Sequence, residues 1–201
     1  MKARVLSAAT TLFMTQGYEK TTIKQIIREA QITTGSLYHF FRNKDDILLH
    51  LAMDVFSISA QTADRIRGDE DDPCLRFSLE IAAQLHFILK YEKIAWLYCA
   101  AYDSSRISDL IVQMGTARNS ELFREYNPEF TDDDYYARTL GVKGILHSFV
   151  KELVHSNKLD DHKRITGILE MTLLIYNVPR EHIKKTIQKT ETIIRKNYDQ
   201  I

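Results

Sequence analysis

The 201-residue chain has little of what breaks or staples a fold: 3 prolines, 7 glycines and 2 cysteines. So few turn formers suit long helices with short connections. Cys74 and Cys99 make no C-x-x-C or other metal-type spacing and are too few for a disulfide framework, so they fit reduced thiols. No run approaches the ~18 apolar residues of a membrane span. The amphipathic start, MKARVLSAATTLF, lacks the apolar core of a secretion signal. A cytoplasmic protein without membrane contact is expected. Net charge is missing as well, with 27 basic against 27 acidic side chains, which at first argues against a nucleic-acid partner. The distribution qualifies that. Residues 1–50 hold Lys2, Arg4, Lys20, Lys24, Arg28, Arg42 and Lys44 against Glu19, Glu29, Asp45 and Asp46, and the remainder carries the compensating acid.

What is present is helical periodicity. No stretch sustains period-2 alternation, so no strand is expected. Val5, Ala9, Leu12 and Phe13 face one side of a first helix that Gly17 ends. Ile23, Ile26, Ile27 and Ala30 fall at i, i+3, i+4 and i+7, and Thr22 with Gln25 reads as a capping box. After a tight turn, Thr33 caps a third, short helix in which Leu37, Phe40 and Phe41 can face inward. Asn43 caps a fourth, with Asp45 and Asp46 favouring its dipole and Leu48, Leu51, Val55 and Ile58 along its stripe. RGDEDDP, 67–73, is a charged break ending in an N-cap and N1 pair, Asp72–Pro73. Residues 75–102 are apolar nearly all round, the mark of buried helix. Asp103–Ser105 reads as a hinge before a helix from Arg106 to Tyr126, and Thr131 starts a long helix to Ser156. NKLDD, 157–161, reads as a turn, His162–Asn177 as helix, and Pro179 opens a last amphipathic helix. The expected fold class is all-α with about nine to ten helices.

Two helices joined by a tight turn, the second short and polar outside, form the helix-turn-helix pattern, whose second helix enters the major groove. Thr34, Gly35 and Ser36 are small enough to let the helix start approach base edges. Thr22, Thr33, Tyr38, His39 and Lys44 are placed as donors to phosphates. Residues 9–48, ATTLFMTQGYEKTTIKQIIREAQITTGSLYHFFRNKDDIL, closely resemble the DNA-binding head of the TetR family of bacterial repressors. The shared features are the first helix ending in F…GY, the Thr-capped second helix and G-x-x-Y-x-H/Y-F-x-x-K. The resemblance implies the same phosphate contacts and base-facing residues. It also implies a three-helix head over 1–47 and an all-α ligand-binding and dimerisation body over 48–201. Two positions depart from the family: Phe40 stands where a polar His or Tyr is frequent, and Thr34 where a Lys or Arg is frequent. Fewer phosphate contacts mean weaker charge-driven binding.

In the body, Phe87, Tyr91, Trp96, Tyr98, Cys99 and Tyr102 cluster in the sequence with Glu80, Gln84 and His86 on neighbouring turns. Apolar walls with a few polar groups are what a ligand site needs, and simple core packing is the competing reading for each aromatic. Phe123 and His147, with Met114 and Tyr126, are weaker candidates from later helices. No pair among His86, Cys99, His147 and His155 has the spacing that sets two metal ligands on one helix face, so no metal and no cofactor are expected. His155, His162 and His182 read as surface residues. Gly141, Gly144 and Ser148 would let a partner helix approach, with Leu140, Ile145, Phe149 and Leu153 beside them. Ile165, Ile168, Leu169, Thr172 and Ile175 offer a second helix. A homodimer through residues 132–156 and 161–177, forming a four-helix bundle, is expected. The leading function is therefore a dimeric, ligand-released repressor, not an enzyme, binding an inverted-repeat operator in duplex DNA and a small apolar or aromatic effector. Two alternatives stand beside it: an all-α enzyme using Glu80, His86 or Cys99, and an interaction protein that has lost specific DNA binding.

Overall fold

The computed structural model describes residues 1–156 and 161–198, with side chains for all of these except 92, 93, 154–156, 161 and 162. Among the described residues there are ten α-helices and no strand. They are α1 (Lys2–Gln16), α2 (Ile23–Ala30), α3 (Thr34–Phe40), α4 (Lys44–Arg67) and α5 (Pro73–Lys90), then α6 (Glu92–Asp103), α7 (Ser105–Phe123), α8 (Asp132–Ser156), α9 (Asp161–Ile175) and α10 (Arg180–Lys196). Among the described residues no helix is long and apolar enough to cross a membrane. The turn expected over 157–160 lies outside the described residues.

Local side-chain chemistry sets five of the helix starts. The Gln25 N–H donates to Thr22 Oγ1 (3.3 Å) while the Thr22 N–H donates to Gln25 Oε1 (2.8 Å), a complete capping box. Thr33 Oγ1 accepts from the Ser36 N–H at 3.2 Å, Asn43 Oδ1 from the Asp46 N–H at 2.8 Å, and Asp72 Oδ1 from the Cys74 N–H at 2.9 Å. Thr131 and Asp134 cap α8 reciprocally, at 3.3 and 3.0 Å.

One sequence expectation changes shape. The apolar run 75–102 is not one helix, because Tyr91 leaves helical geometry (φ −126°, ψ 83°) and separates α5 from α6. The break turns α6 so that it packs against α1, α4 and α8.

Two apolar clusters hold the molecule. The first lies among α1, α2, α3 and the start of α4, around Phe13, Ile26, Leu37, Phe41, Ile47 and Leu48. It does not stop at residue 47: Ala52 of α4, Leu97 and Ala101 of α6 and Ile107 of α7 belong to it. The second fills the body, with the Phe123 and Tyr176 rings stacked at 4.3 Å and 1° near its centre. Phe56 and Ile111 touch both clusters, so head and body share packed side chains through α4, α6 and α7.

Candidate nucleic-acid interface and ligand cavity

Leu37 and Phe41 are buried at 0% and 1% exposure and anchor α3 on α1 and α2. Each such burial stabilises by about 1.5–3 kcal/mol. That anchoring leaves the opposite side of a seven-residue helix outside. Thr33, Thr34, Gly35, Tyr38 and His39 are all exposed, Ser36 is half-buried, and Thr22 is exposed at the start of α2. Phe40 is half-buried, its ring edge-on to His39 at 4.9 Å, so it is a cover residue and not a core one. Gln31 takes a left-handed conformation (φ 50°) that ends α2, and Arg4 of α1 donates to its carbonyl at 3.1 Å. The angle between α2 and α3 is thereby tied to α1.

Lys44 differs from a free cation at the helix end. It is half-buried, its ammonium donates to the Tyr18 carbonyl at 2.7 Å and lies 4.1 Å from the Tyr18 ring centroid. Tyr18 in turn donates to Asp45. Part of the donor capacity of Lys44 therefore holds the turn after α1 onto α4. Burial and the Asp45 carboxylate push the Tyr18 phenol far above its ordinary range, so this contact stays neutral on the tyrosine side.

In the body, a cavity of about 350 Å³ lies between α4, α5, α7 and α8, with Tyr102 of α6 at one side. Phe56, Phe77, Ile81, Val142 and Leu146 give it apolar walls. Its polar groups are Glu80, Gln84, Arg76, Arg118, Lys143, Ser57 and Ser59, with Asn119 and Thr139 beside each other. Glu80 is 7% exposed. Its carboxylate accepts from the Arg118 guanidinium and lies 3.7 Å from Arg76 Nε. Burial raises its pKa, against the pull of both arginines. Asn119 donates to Thr139 (3.1 Å) and to the Tyr176 hydroxyl (2.7 Å), so that pair is internally satisfied.

The sequence-predicted ligand residues divide. Glu80, Gln84 and Tyr102 line this cavity, as does Met114. Trp96 does not. It is half exposed and borders, with Cys99, a separate cleft of about 510 Å³ between α6 and the end of α1 at Phe13 to Tyr18. Tyr98 is buried behind Tyr102, stacked at 4.4 Å. His147 stacks on Tyr102 at 5.7 Å and faces Asp103 at 3.2 Å. Burial lowers the His147 pKa more than Asp103 raises it. Phe123 is wholly buried core, Phe87 and Tyr91 pair edge-to-face at 5.0 Å away from the cavity, and His86 Nδ1 lies 2.7 Å from the Ala82 carbonyl. Tyr126 is half-buried outside the cavity. Apolar periodicity finds helices but not which side of each faces a void, and it passed over Phe56, Arg118 and Lys143.

Neither void contains two of Glu80, His86 and Cys99, so no joint catalytic arrangement of these residues is formed. The metal candidates His86, Cys99 and His147 are likewise not gathered, and the side chains of His155 and His162 lie outside the described residues. The structure instead brings Asp72, Cys74 and His182 together, their ligand atoms within 4.8 Å of one another. His182 is half-buried there, not a free surface residue. Those groups already have roles: Asp72 caps α5 and pairs with His182 at 3.2 Å. Burial pushes the Cys74 thiol up to about 11, away from the thiolate a metal needs.

Residues 5–51 match the sequence profile of the tetR family of bacterial regulatory proteins. Over this stretch the chain is similar to the family's DNA-binding head. It is 34% identical over 113 residues to the HTH-type transcriptional regulator HbdR of Aromatoleum sp. (strain CIB), covering 56% of this chain and 43% of that protein. The chain spans about half the length of the curated relatives it first matches. Among solved structures, the transcriptional regulator FadR of Bacillus subtilis in complex with stearoyl-CoA superposes with a TM-score of 0.65 at 15% identity, covering 86% of this chain and 97% of that one. SmeT, the repressor of the Stenotrophomonas maltophilia multidrug efflux pump SmeDEF, gives 0.60 at 21% identity, covering 87% and 89%. At these identities the likeness concerns the fold.

Proposed function

We propose that this chain is a TetR-family regulator: a dimeric, sequence-specific DNA-binding transcriptional repressor, released from an inverted-repeat operator by a small ligand in the body cavity. The observation that carries the reading is the outward row on α3. Thr34, Gly35, Tyr38 and His39 are exposed, and a Cβ added at Gly35 would meet nothing within 4 Å. The fold itself makes no demand for a small residue there. A helix laid in a major groove does, since its first turn must approach base edges. Thr34, Gly35 and Ser36 then face bases, and Thr22, Thr33, Tyr38, His39 and Lys44 face phosphates.

Two further features support the rest. On α8, Leu140, Gly141, Gly144 and Ser148 are exposed, as is Met171 on α9, a small and apolar face open to a second copy. Ile165, Ile168, Leu169 and Thr172 are instead buried in their own subunit's core, so the partner-facing side of α9 is that of Gly167 and Met171. The cavity borders α4 at Met53, Phe56 and Ala60, and the same helix enters the head core at Ile47 and Leu48. Ligand volume against α4 would move the heads from the ~34–36 Å separation that successive major grooves require.

Selection from random DNA duplexes tests the reading: one enriched inverted repeat is expected, bound by the dimer in a gel shift. Enrichment of no motif would leave an interaction protein that has kept the fold without specific DNA binding.

A further inference from the structure

We infer that the cavity between α4, α5, α7 and α8 selects a small hydrophobic carboxylate, its charge met by Lys143 and an acceptor oxygen met by Gln84. This inference rests on the proposed ligand-responsive regulator and names the chemical class of its effector.

Gln84 is 7% exposed and lines the cavity, and its Nε2 has no hydrogen-bond partner among the described residues. A buried donor left unpaired costs about 1–3 kcal/mol. Asn119 and Thr139, which also line the cavity, are hydrogen-bonded to each other and to the Tyr176 hydroxyl and leave no comparable demand. A ligand oxygen within reach of Gln84 removes the penalty. A purely apolar ligand offers the amide no acceptor and leaves the penalty in place.

The charges give the sign. Three cations line the cavity against one carboxylate, Glu80. Arg118 is committed to Glu80, and Arg76 lies between Glu80 and Asp64, 3.2 Å from the Asp64 carboxylate. Lys143 forms no ion pair among the described residues. Its ammonium lies 5.8 Å from the centroid of Tyr102, another wall of the same cavity. Glu80 has its own cations and is not left to recruit an amine. Lys143 is the unmatched charge, and an anion is its complement. Apart from the neutral Ser57, Ser59, Asn119 and Thr139, the rest of the lining is mostly apolar, with the rings of Phe56, Phe77 and Tyr102. At about 350 Å³ the space lies at the small end of organic ligand sites, enough for a one-ring acid.

Three probes with one apolar body isolate the head group: 3-phenylpropanoate, 3-phenylpropan-1-ol and 3-phenylpropylammonium, titrated by calorimetry into the full chain. Wild type should bind the acid at least tenfold tighter than the alcohol, and the amine most weakly. Lys143→Met should bring the acid down to the alcohol without changing the alcohol, while Lys143→Arg retains the preference. Gln84→Leu should weaken acid and alcohol alike and leave the amine unchanged. Thermal melts establish that each variant is folded. The inference is overturned if the alcohol or amine binds as well as the acid, if Lys143→Met keeps the ranking, or if no probe binds at millimolar concentration. Operator binding, measured in parallel, separates the two readings. Release by the alcohol alone removes the carboxylate class and keeps the regulator. Acid selectivity in a chain that binds no operator keeps the class and removes the regulator.

Discussion

Head and body both carry polar groups without internal partners, but in opposite surroundings. Tyr38, His39 and Thr34 stand in water on α3, where an unused donor costs nothing until a partner arrives. Gln84 Nε2 is sealed inside the body, where the same condition is a standing penalty. The contrast separates two kinds of recognition. A surface for DNA can be built from polar residues that are solvated when free. A cavity that takes a small molecule, as proposed for the body, would keep a deficit that its ligand relieves. The two regions are joined by shared packing at Phe56, Leu97 and Ala101, so relief in one can be felt in the other.

The largest expected effect tests that joining. Phe41→Ala should destabilise by about 3–5 kcal/mol through the cavity it leaves in the head. Because the head cluster includes Leu97, Ala101 and Ile107, the loss should appear as one shifted unfolding transition followed by circular dichroism and Trp96 emission together. A head that melts separately while Trp96 stays native would break the picture of a shared core.

Next in size is Gly144→Arg. Gly144 is exposed, with nothing within 4 Å of an added Cβ, so the chain alone should fold normally. A dimer packed on α8 should not form, and operator affinity should fall on the order of 100-fold, about 2.7 kcal/mol. Sedimentation showing an intact dimer would remove α8 from the interface.

Tyr38→Ala should cost about tenfold in affinity for every duplex and leave the slope of binding against salt nearly unchanged, since the proposed contact is a neutral hydrogen bond to phosphate that releases no counterion. A change confined to the preferred operator would instead mean that Tyr38 reads bases.

The smallest effect concerns pH. Glu80 has a native pKa raised by burial above its unfolded value, so the native state holds the proton more tightly. Its contribution to stability therefore falls as pH rises from the ordinary carboxylate range through the native value. Glu80→Gln should gain on wild type in urea midpoint across that window. A constant difference at all pH values would show that Arg118 and Arg76 fully offset the burial.

The sequence by itself determined the head, because its signals are local. Thr22–Gln25, Thr33, Asn43 and Asp72–Pro73 cap helices within three residues of themselves, and the i, i+3, i+4, i+7 stripe of α2 settles which side is buried. The outward face of α3 follows, since Leu37 and Phe41 leave only one side for Tyr38 and His39. The body was legible as helices but not as a site. Only tertiary structure decided that α5 ends at Tyr91, a position without glycine or proline, where turning lets α6 reach α1 and α8. The same turn carries Trp96 out to the head–body cleft and leaves Tyr102 at the cavity. The charges that matter there sit on three different helices, Glu80 on α5, Arg118 on α7 and Lys143 on α8. Each looks like an ordinary helix charge in sequence. Their shared void arises because packing distant in sequence sets which sides of those helices converge.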